Sequence, residues 1–425
     1  MSSRLVIEGG RVIDPAHGID AVCNVYLAAG RIVSTGHCPD GFEADQRLDA
    51  TGKVVCPGFI DLSAHLREPG LEHKATIASE TRAAAAAGIT TLCCMPDTRP
   101  VIDTAAVVNL VKDRARQAGR VKVLPIGALT RGLNGKDLSD MSALKQAGCL
   151  AVGNAYAAVA NPLVLRRALE YAASYGLLVI IRPEDPYLAD QGCVHEGAYG
   201  TRLGLPGIPH AAETVAVAEV LALVEEIGVR VHFSQLSSGR AVSMIRFAQH
   251  QGIAVTADVA AHQLHLTEAC IENFDPLYHL RPPLRTEADR LALCQGLKEG
   301  VITALCSSHQ PHEPDAKLDT FPATEPGIAT LQTLLPLTLE LVRQGVIDLM
   351  TAIAALTHQP AQILGIDAGH LHPGAPADLC VFDPLAEWRV DETTWRSQGF
   401  NTPYRGQTLQ GRVRLTLIDG EPVYP

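Results

Sequence analysis

The spacing of apolar residues changes character twice along the chain. Residues 4–56 hold short apolar runs separated by Gly and Pro, a pattern typical of short β-strands. Between residues 57 and about 364, apolar runs of strand length alternate with amphipathic stretches of helical length. Strand patterns return from residue 365, and Asp419-Gly420 predicts a hairpin turn near the end. The chain is therefore predicted to place β-segments on both sides of a strand–helix repeat.

The central repeat contains eight candidate strands, at residues 59–62, 90–95, 122–126, 150–152, 177–181, 229–233, 254–259 and 302–306. Helical patterns between them include residues 77–87, 162–175, 211–227, 239–250 and 286–298. Eight such units favour an α/β fold of the (β/α)8 TIM barrel type over an open sheet. We expect the barrel over residues 57–364 and one composite β-sandwich-like domain from residues 1–56 and 365–425. Chemistry in such barrels lies at the carboxyl ends of the strands.

Composition narrows the class of protein. The 425 residues carry a formal charge of −11 and only 4% aromatic side chains, which disfavours nucleic-acid binding. No apolar run approaches the roughly 20 residues that span a bilayer, so no membrane association is expected. The first eight residues lack the features of a signal peptide. Eleven scattered cysteines without a Cys-x-x-Cys pair indicate buried thiols in a reducing compartment, so we expect a cytoplasmic protein.

The segment from residue 59 to residue 70 carries the clearest chemical pattern. Strand alternation places residues 61, 63 and 65 on one side of the chain. Histidines at both 63 and 65 would clamp a divalent metal, but the chain has Ser63 and His65. A single histidine at a strand end is more often a hydrogen-bonded core or rim residue than a metal ligand.

The chain resembles the dihydroorotases of the amidohydrolase superfamily from residue 4 to residue 424. This resemblance rests on collinear motifs, which are Pro57-Gly58-Phe59-Ile60-Asp61, His65-Leu66-Arg67-Glu68-Pro69-Gly70, Met95-Pro96-Asp97-Thr98, His195-Glu196-Gly197, Arg202 to Pro209, Pro282-Pro283-Leu284-Arg285, His309 to His312, Asn401-Thr402-Pro403-Tyr404 and Gly411-Arg412-Val413-Arg414. It implies an amidohydrolase-type barrel with a small β-domain built from both termini.

The resemblance also implies where the family's metal ligands lie, and His65 is the only one retained. The other positions carry replacements, which are Ser63 on the first strand, Asn154 and Ala155 after the fourth, Arg182 after the fifth, Gln235 after the sixth and Ser308 after the eighth. Zinc needs imidazole, thiolate or carboxylate donors, whereas hydroxyl and amide oxygens supply no charge and a guanidinium repels the ion. We therefore predict no bound metal, no cofactor and no catalytic residue at these degenerate positions.

A serine at position 308 has a second consequence. The family's aspartate there takes the proton of the attacking water, so Ser308 leaves no general base. Histidines elsewhere, as in His262-x-x-His265, are better interpreted as structural.

The family's substrate-binding positions are only partly retained. By resemblance, Arg67 corresponds to the arginine that grips the substrate carboxylate, and His312 to a histidine that contacts substrate. Asp97 and Arg281 replace the family's two asparagines. Asp97 would repel an anionic ligand, which disfavours dihydroorotate binding.

The position of Arg182 leads to a separate prediction. A guanidinium in a cavity built for cations is too costly to leave unpaired. We expect it to pair with a carboxylate, and the candidates are Asp61, Glu184, Asp185 and Asp258.

The preferred interpretation is a pseudoenzyme related to dihydroorotase. The resemblance implies a non-catalytic subunit for the catalytic chain of aspartate carbamoyltransferase in pyrimidine biosynthesis, in a mixed dodecamer of six plus six, with self-association as a dimer. One alternative is an active cyclic-amide hydrolase with a relocated or single-metal site, built from His65, Asp258, His309 and His312. Another is a ligand-binding sensor that holds a small acid through Arg67 and His312.

Overall fold

The computed structural model describes residues 4–425. It begins with five strands, β1 (Leu5–Asp14), β2 (Ile19–Ala28), β3 (Arg31–Thr35), β4 (Gln46–Asp49) and β5 (Val54–Pro57). Strand β1 contains a bulge, because the register of its pairing with β2 shifts between Ile7 and Gly10. Within it Gly9 has a φ of 69°, a left-handed conformation that glycine adopts without strain. The sequence pattern missed β4, whose residues are mostly polar.

Eight strand positions follow and form the barrel, the third being divided in two. The strands of this region are β6 (Phe59–Ala64), β7 (Ile89–Cys94), β8 (Lys122–Pro125), β9 (Gly127–Ala128), β10 (Ala151–Gly153), β11 (Leu178–Ile181), β12 (Val194–His195), β13 (Gly207–Ile208), β14 (Val231–Phe233), β15 (Val255–Ala260) and β16 (Ala304–Cys306). Strands β12 and β13 form a separate two-stranded sheet.

The remaining strands close into a ring. Strands β6, β7 and β8 form one parallel sheet, and β9, β10, β11, β14, β15 and β16 form another. Ile126, the residue between β8 and β9, continues the pairing with β7, because its N–H donates to Cys94 O at 2.9 Å. The other seam closes where His65 N–H donates to His309 O at 2.9 Å and His309 N–H donates to Ser63 O at 3.2 Å. The predicted (β/α)8 barrel is confirmed.

Helices cover the outside of the barrel. They are α1 (Ile77–Ala86), α2 (Ala105–Ala118), α3 (Met141–Ala147), α4 (Pro162–Ser174), α5 (Pro186–Ala189), α6 (Ala198–Leu203), α7 (His210–Ile227), α8 (Gly239–His250), α9 (Glu287–Lys298), α10 (Leu334–Arg343), α11 (Leu349–Leu356) and α12 (His358–Leu364). Capping boxes at Thr76 and Thr286 start α1 and α9, because each threonine hydroxyl accepts the backbone N–H three residues on.

Three strands complete the chain, β17 (Leu379–Arg389), β18 (Thr408–Ile418) and β19 (Glu421–Tyr424). Strand β17 pairs antiparallel with β5, with Cys380 opposite Cys56, so the two terminal segments share one eight-stranded sheet. The hydrogen bonds thus join strands of both terminal segments in one continuous sheet. This sheet has its own apolar core, which includes Leu5, Val25 and Leu417.

Most of the buried apolar residues belong to two clusters formed by the barrel strands and the helices around them. Eight of the eleven cysteines are buried there or under the sheet, as expected for thiols that act as small apolar side chains. Among residues 4–425, no helix is long and apolar enough to cross a membrane.

Candidate functional site

Three of the replaced ligand positions are joined by hydrogen bonds inside the barrel mouth. Ser63 lies in β6, whereas Gln235 and Ser308 follow β14 and β16. The Gln235 amide donates through Nε2 to Ser63 Oγ at 2.7 Å and accepts at Oε1 from Ser308 Oγ at 3.0 Å. All three residues are buried. The side chains at these positions therefore satisfy one another instead of presenting free donors to an ion.

Arg182 follows β11 and forms a buried ion pair. Its Nη1 and Nη2 donate to the two carboxylate oxygens of Glu184, each at 2.9 Å. Glu184 also accepts from Arg281, whose Nε lies 2.9 Å from Oε1. Burial alone would raise the pKa of Glu184, but the charges and hydrogen bonds of the two arginines lower it to about 2. The prediction that Arg182 pairs with a carboxylate is confirmed, and Glu184 is the partner among the four candidates.

Tyr156, in the loop after β10, occupies the middle of the mouth. Its ring stacks on His65 with centroids 5.2 Å apart, and the Arg182 guanidinium carbon lies 4.4 Å from the ring centroid. The hydroxyl donates to Gln235 Oε1 at 3.0 Å and accepts from Gln310 Nε2. Burial raises the pKa of Tyr156 to about 12, so the phenol stays neutral. Tyr156 thus connects the retained histidine to the replaced positions.

His65 keeps the orientation of a metal ligand. Its Nδ1–H donates to Asp97 at 2.7 Å, and its Nε2 is buried without a hydrogen-bond partner. Burial lowers the pKa of His65, so the ring is neutral at pH 7. The pKa of Asp97 is about 2 because His65 and Arg67 outweigh the effect of burial. The Asp97 carboxylate therefore interacts with His65 and Arg67, and its negative charge would repel the carboxylate of a ligand.

The other family positions point elsewhere. Asn154 follows β10 and accepts from Thr130 N–H at 3.1 Å, while its own Nδ2 donates to Ala157 O at 3.0 Å. These bonds fix the loop that carries Tyr156 and Ala155.

Four residues of the site have a left-handed backbone conformation. Arg67, Ala155, Gln235 and Ser308 all have positive φ values between 48° and 66°. Such strained backbones cluster at functional sites, and here the strained turns carry side chains that do not ligate metals.

The residues of the alternative, relocated metal site are engaged with other partners. Asp258 accepts from Gln235 N–H at 2.6 Å and lies 2.9 Å from His232 Nε2. His309 accepts Thr330 N–H at Nδ1, so its Nε2–H donates to Glu80 at 2.6 Å. Both nitrogens of His309 are thus in use, and the Asp258 carboxylate is held by the partners named above.

His312 is likewise occupied. Lys74 Nζ lies 3.1 Å from its Nδ1, and Arg67 Nη2 lies 3.2 Å from its Nε2, which is also 3.1 Å from Pro326 O. Burial, with the charges of Arg67 and Lys74, lowers the pKa of His312 to about 2. Outside the mouth, His265 Nε2 donates to Leu337 O at 2.9 Å, and burial lowers the pKa of His262 to about 3. His265 thus has a backbone partner, whereas His262 Nδ1 is buried without one.

The donor set does not fit the metal centre that the barrel type implies. Among residues 4–425, no three or more His, Cys, Asp or Glu side chains are grouped so that they could hold a metal ion. His65, Tyr156, Arg182 and Gln235 line a remaining cavity of about 10 Å³, roughly the space one water molecule needs. With a guanidinium beside it and only one free imidazole nitrogen, this space lacks the three protein ligands of a catalytic zinc site.

Sequence reasoning missed two participants, Tyr156 and Gln310, and one of the contacts of Glu184. Tyr156 has no place in any metal-binding pattern, and only its position in the folded loop shows that it fills the mouth. Gln310, next to a family histidine position, donates to the Tyr156 hydroxyl. Glu184 was one of four candidate partners for Arg182, but its second bond to Arg281 depends on a residue 97 positions away.

Comparison with known proteins agrees with this architecture. The Dihydro-orotase-like family profile matches residues 52–241, and the Amidohydrolase family profile matches residues 328–424. A "Dihydroorotase-like protein" of Pseudomonas aeruginosa is 52% identical over 414 residues, which covers 97% of this chain and 98% of that protein. A "Dihydroorotase" of Geobacter sp. is 41% identical over 420 residues, or 99% of each chain.

The chain belongs to the dihydroorotase-like family of amidohydrolases. Its fold is also that of the L-hydantoinase (dihydropyrimidinase) from Arthrobacter aurescens, with a TM-score of 0.89 at 24% sequence identity, covering 100% of this chain and 96% of that one. The recognition made from the sequence motifs is therefore confirmed, as is the amidohydrolase-type barrel with its β-domain. Within this dihydroorotase-like chain, the mouth of the barrel holds the ion-paired and hydrogen-bonded residues described above.

Proposed function

We propose that this dihydroorotase-like chain is a pseudoenzyme that serves as a structural subunit for aspartate carbamoyltransferase in pyrimidine biosynthesis. The observation that carries the proposal is the Arg182–Glu184 ion pair in the barrel mouth, with side-chain exposures of 4% and 5%. A permanent positive charge stands where the family's resemblance places a zinc ligand. Hydrolysis of dihydroorotate needs a metal-activated water and a base, and the side chains at these positions provide neither.

The scaffold supports a role for the outer surface. The relationship extends over 97% of the chain, and the ring of strands is closed. A chain that keeps its whole fold without its catalytic donors is well suited to bind another protein. The resemblance supplies the partner, the catalytic chain of aspartate carbamoyltransferase, and the arrangement, a cytoplasmic mixed dodecamer in which copies of this chain pair as dimers.

A second candidate function is hydrolysis of a cyclic amide with a single metal. One observation favours it, because His65 Nε2 is unprotonated, buried and without a partner. The other histidines and Asp258 would have to leave their present partners to complete such a site. A sensor that binds a small acid would need Arg67 to leave Asp97, 3.8 Å away, and Pro311 O, to which its Nε donates at 3.2 Å.

Copurification tests the structural role. The complex is isolated from the native cell through an affinity tag on the carbamoyltransferase, with this chain untagged, and its mass is measured by native mass spectrometry. We expect this chain at a one-to-one ratio with the carbamoyltransferase. A native complex that lacks this chain contradicts the proposed partner.

Metal and activity measurements separate the two candidate functions. The purified chain is dialysed and its zinc is quantified, with the Geobacter dihydroorotase treated in parallel as the positive control. We expect no barrel zinc and no turnover of dihydroorotate. About one tightly bound zinc per chain that is lost in His65→Ala, together with turnover of any cyclic ureide, would establish the hydrolase instead.

A further inference from the structure

Four histidines lie together where the β1–β2 turn meets the segment between α12 and β17. His17 belongs to the turn, His358 begins α12, and His370 and His372 belong to the later segment. They line a cavity of about 560 Å³ with Asp367 and residues 373–375. None of these residues takes part in the barrel mouth. This group, called the histidine cluster below, joins the two halves of the composite β-domain.

The hydrogen bonds of two of these histidines determine where their protons are. His17 Nδ1 lies 2.8 Å from a carboxylate oxygen of Asp14, and His372 Nδ1 lies 2.6 Å from the carbonyl oxygen of Pro373. Both oxygens can only accept, so each Nδ1 carries the proton. In the neutral rings, each Nε2 then presents a lone pair, and no partner for either Nε2 is found among the described residues.

This arrangement matches that of metal-binding histidines. A ligating imidazole usually donates its second nitrogen to a carboxylate or a backbone carbonyl, which orients the ring and increases its basicity. Asp14 is fully buried and also accepts Leu371 N–H at 2.8 Å, so one carboxylate oxygen positions both His17 and the segment that carries His372. The orientation of His17 is therefore built into the fold.

The separation of the rings suits a shared ion. The centroids of His17 and His372 are 5.6 Å apart. Two imidazoles on one zinc ion, with Zn–N bonds of about 2.0–2.1 Å, have centroids roughly 5–6 Å apart. His370 is a third ring at 5.9 Å from His17, but its Nε2–H is held by Asp367 at 2.8 Å. His17 and His372 thus each have an Nε2 atom available to an ion, and the open cavity leaves room for water ligands.

We propose that His17 and His372 form a binding site for a borderline divalent metal ion such as Zn²⁺, Ni²⁺ or Cu²⁺, with water completing the coordination. Imidazole is a preferred ligand of all three ions. His358 and His370 stand beside the pair, and the exposed Asp367 carboxylate adds negative charge near the ion. The bound ion would link the β1–β2 turn to the segment before β17.

Calorimetric titration of the untagged, chelator-treated chain with ZnCl₂ and NiCl₂ tests the site. We expect one ion per chain, a rise in Tm on metal addition, and at least a tenfold weaker association constant in His17→Ala and in His372→Ala. His250→Ala removes an exposed histidine at the end of α8 and is the matched control, so its affinity stays at the wild-type value. Circular dichroism confirms that each variant is folded before titration.

Two further variants make the result decisive. His65→Ala leaves the zinc affinity of the histidine cluster unchanged, which distinguishes this site from a metal in the barrel mouth. His17→Gln keeps a polar side chain of similar size and loses binding as His17→Ala does. If the double variant His17→Ala/His372→Ala binds zinc as tightly as the wild type, or if the wild type binds none, the proposal is wrong.

Discussion

Replacing Glu184 by alanine tests the electrostatic reasoning about the barrel mouth. The substitution removes the carboxylate that pairs with Arg182 and with Arg281. Only 4% of the Arg182 side chain is exposed, so its guanidinium stays buried without a carboxylate partner after the substitution. An uncompensated buried charge of this kind costs about 3–5 kcal/mol. Arg281 is 31% exposed and can rehydrate, so its loss adds little.

The pKa of Glu184 gives an independent magnitude. A fall from 4.5 to about 2 corresponds to about 3 kcal/mol of stability, because each pKa unit represents about 1.4 kcal/mol. This contribution is present above the unfolded pKa of 4.5 and is lost as the pH falls toward 2. Both routes therefore predict a loss of about 3 kcal/mol or more at pH 7.

The expected change in Tm follows from the chain length. An unfolding entropy of roughly 0.9 kcal/mol per kelvin for 425 residues converts about 3–5 kcal/mol into a Tm decrease of roughly 3–6 °C. Urea unfolding and calorimetry at fixed protein concentration measure both quantities. Glu272→Ala is the matched control, since it breaks an Arg202 pair whose side chains are more than half exposed, and costs at most about 1 kcal/mol.

The double variant Arg182→Met/Glu184→Ala checks the cause. Removing the guanidinium as well relieves the unpaired charge, so this protein should be more stable than Glu184→Ala alone. If Glu184→Ala costs no more than Glu272→Ala, or if the double variant is the less stable of the two, the buried pair does not have the importance assigned to it.

Three other substitutions give sharp expectations. Burial raises the pKa of Asp61 from 3.8 to about 6, so about 3 kcal/mol of stability is lost as the pH rises from below 3.8 to above 6. Asp61→Asn should flatten that dependence in urea unfolding. Tyr156→Ala removes a ring that contacts His65 and Arg182, and should cost about 3–5 kcal/mol, whereas Tyr187→Ala, at a residue 81% exposed, should cost under about 0.5 kcal/mol. Equal losses of stability in the two variants would refute the packing role of Tyr156. Glu80→Ala strands the fully buried His309 imidazole and should lower stability by about 1–3 kcal/mol, and an unchanged urea midpoint would contradict this.

The repeating pattern of the sequence was sufficient to identify the barrel. Alternation of apolar strands with amphipathic helices depends on local spacing, so helix α8 begins and ends where its pattern predicted. The same logic failed for β4, whose polar residues pair with β1 only because the folded chain brings them there. It predicted one composite β-domain from both terminal segments but not the pairing of β5 with β17, since that contact links residues more than 300 positions apart.

The candidate site divides in the same way. The sequence alone determined which ligand types are missing, because side-chain chemistry does not depend on the fold: Ser63, Arg182, Gln235 and Ser308 are poor zinc donors wherever they lie. Tertiary structure decided what occupies the space instead. Arg182 has four acidic candidates along the chain, and only the geometry at the strand ends selects Glu184. Tyr156 enters the mouth because its loop folds over it, a long-range packing outcome that no local pattern encodes.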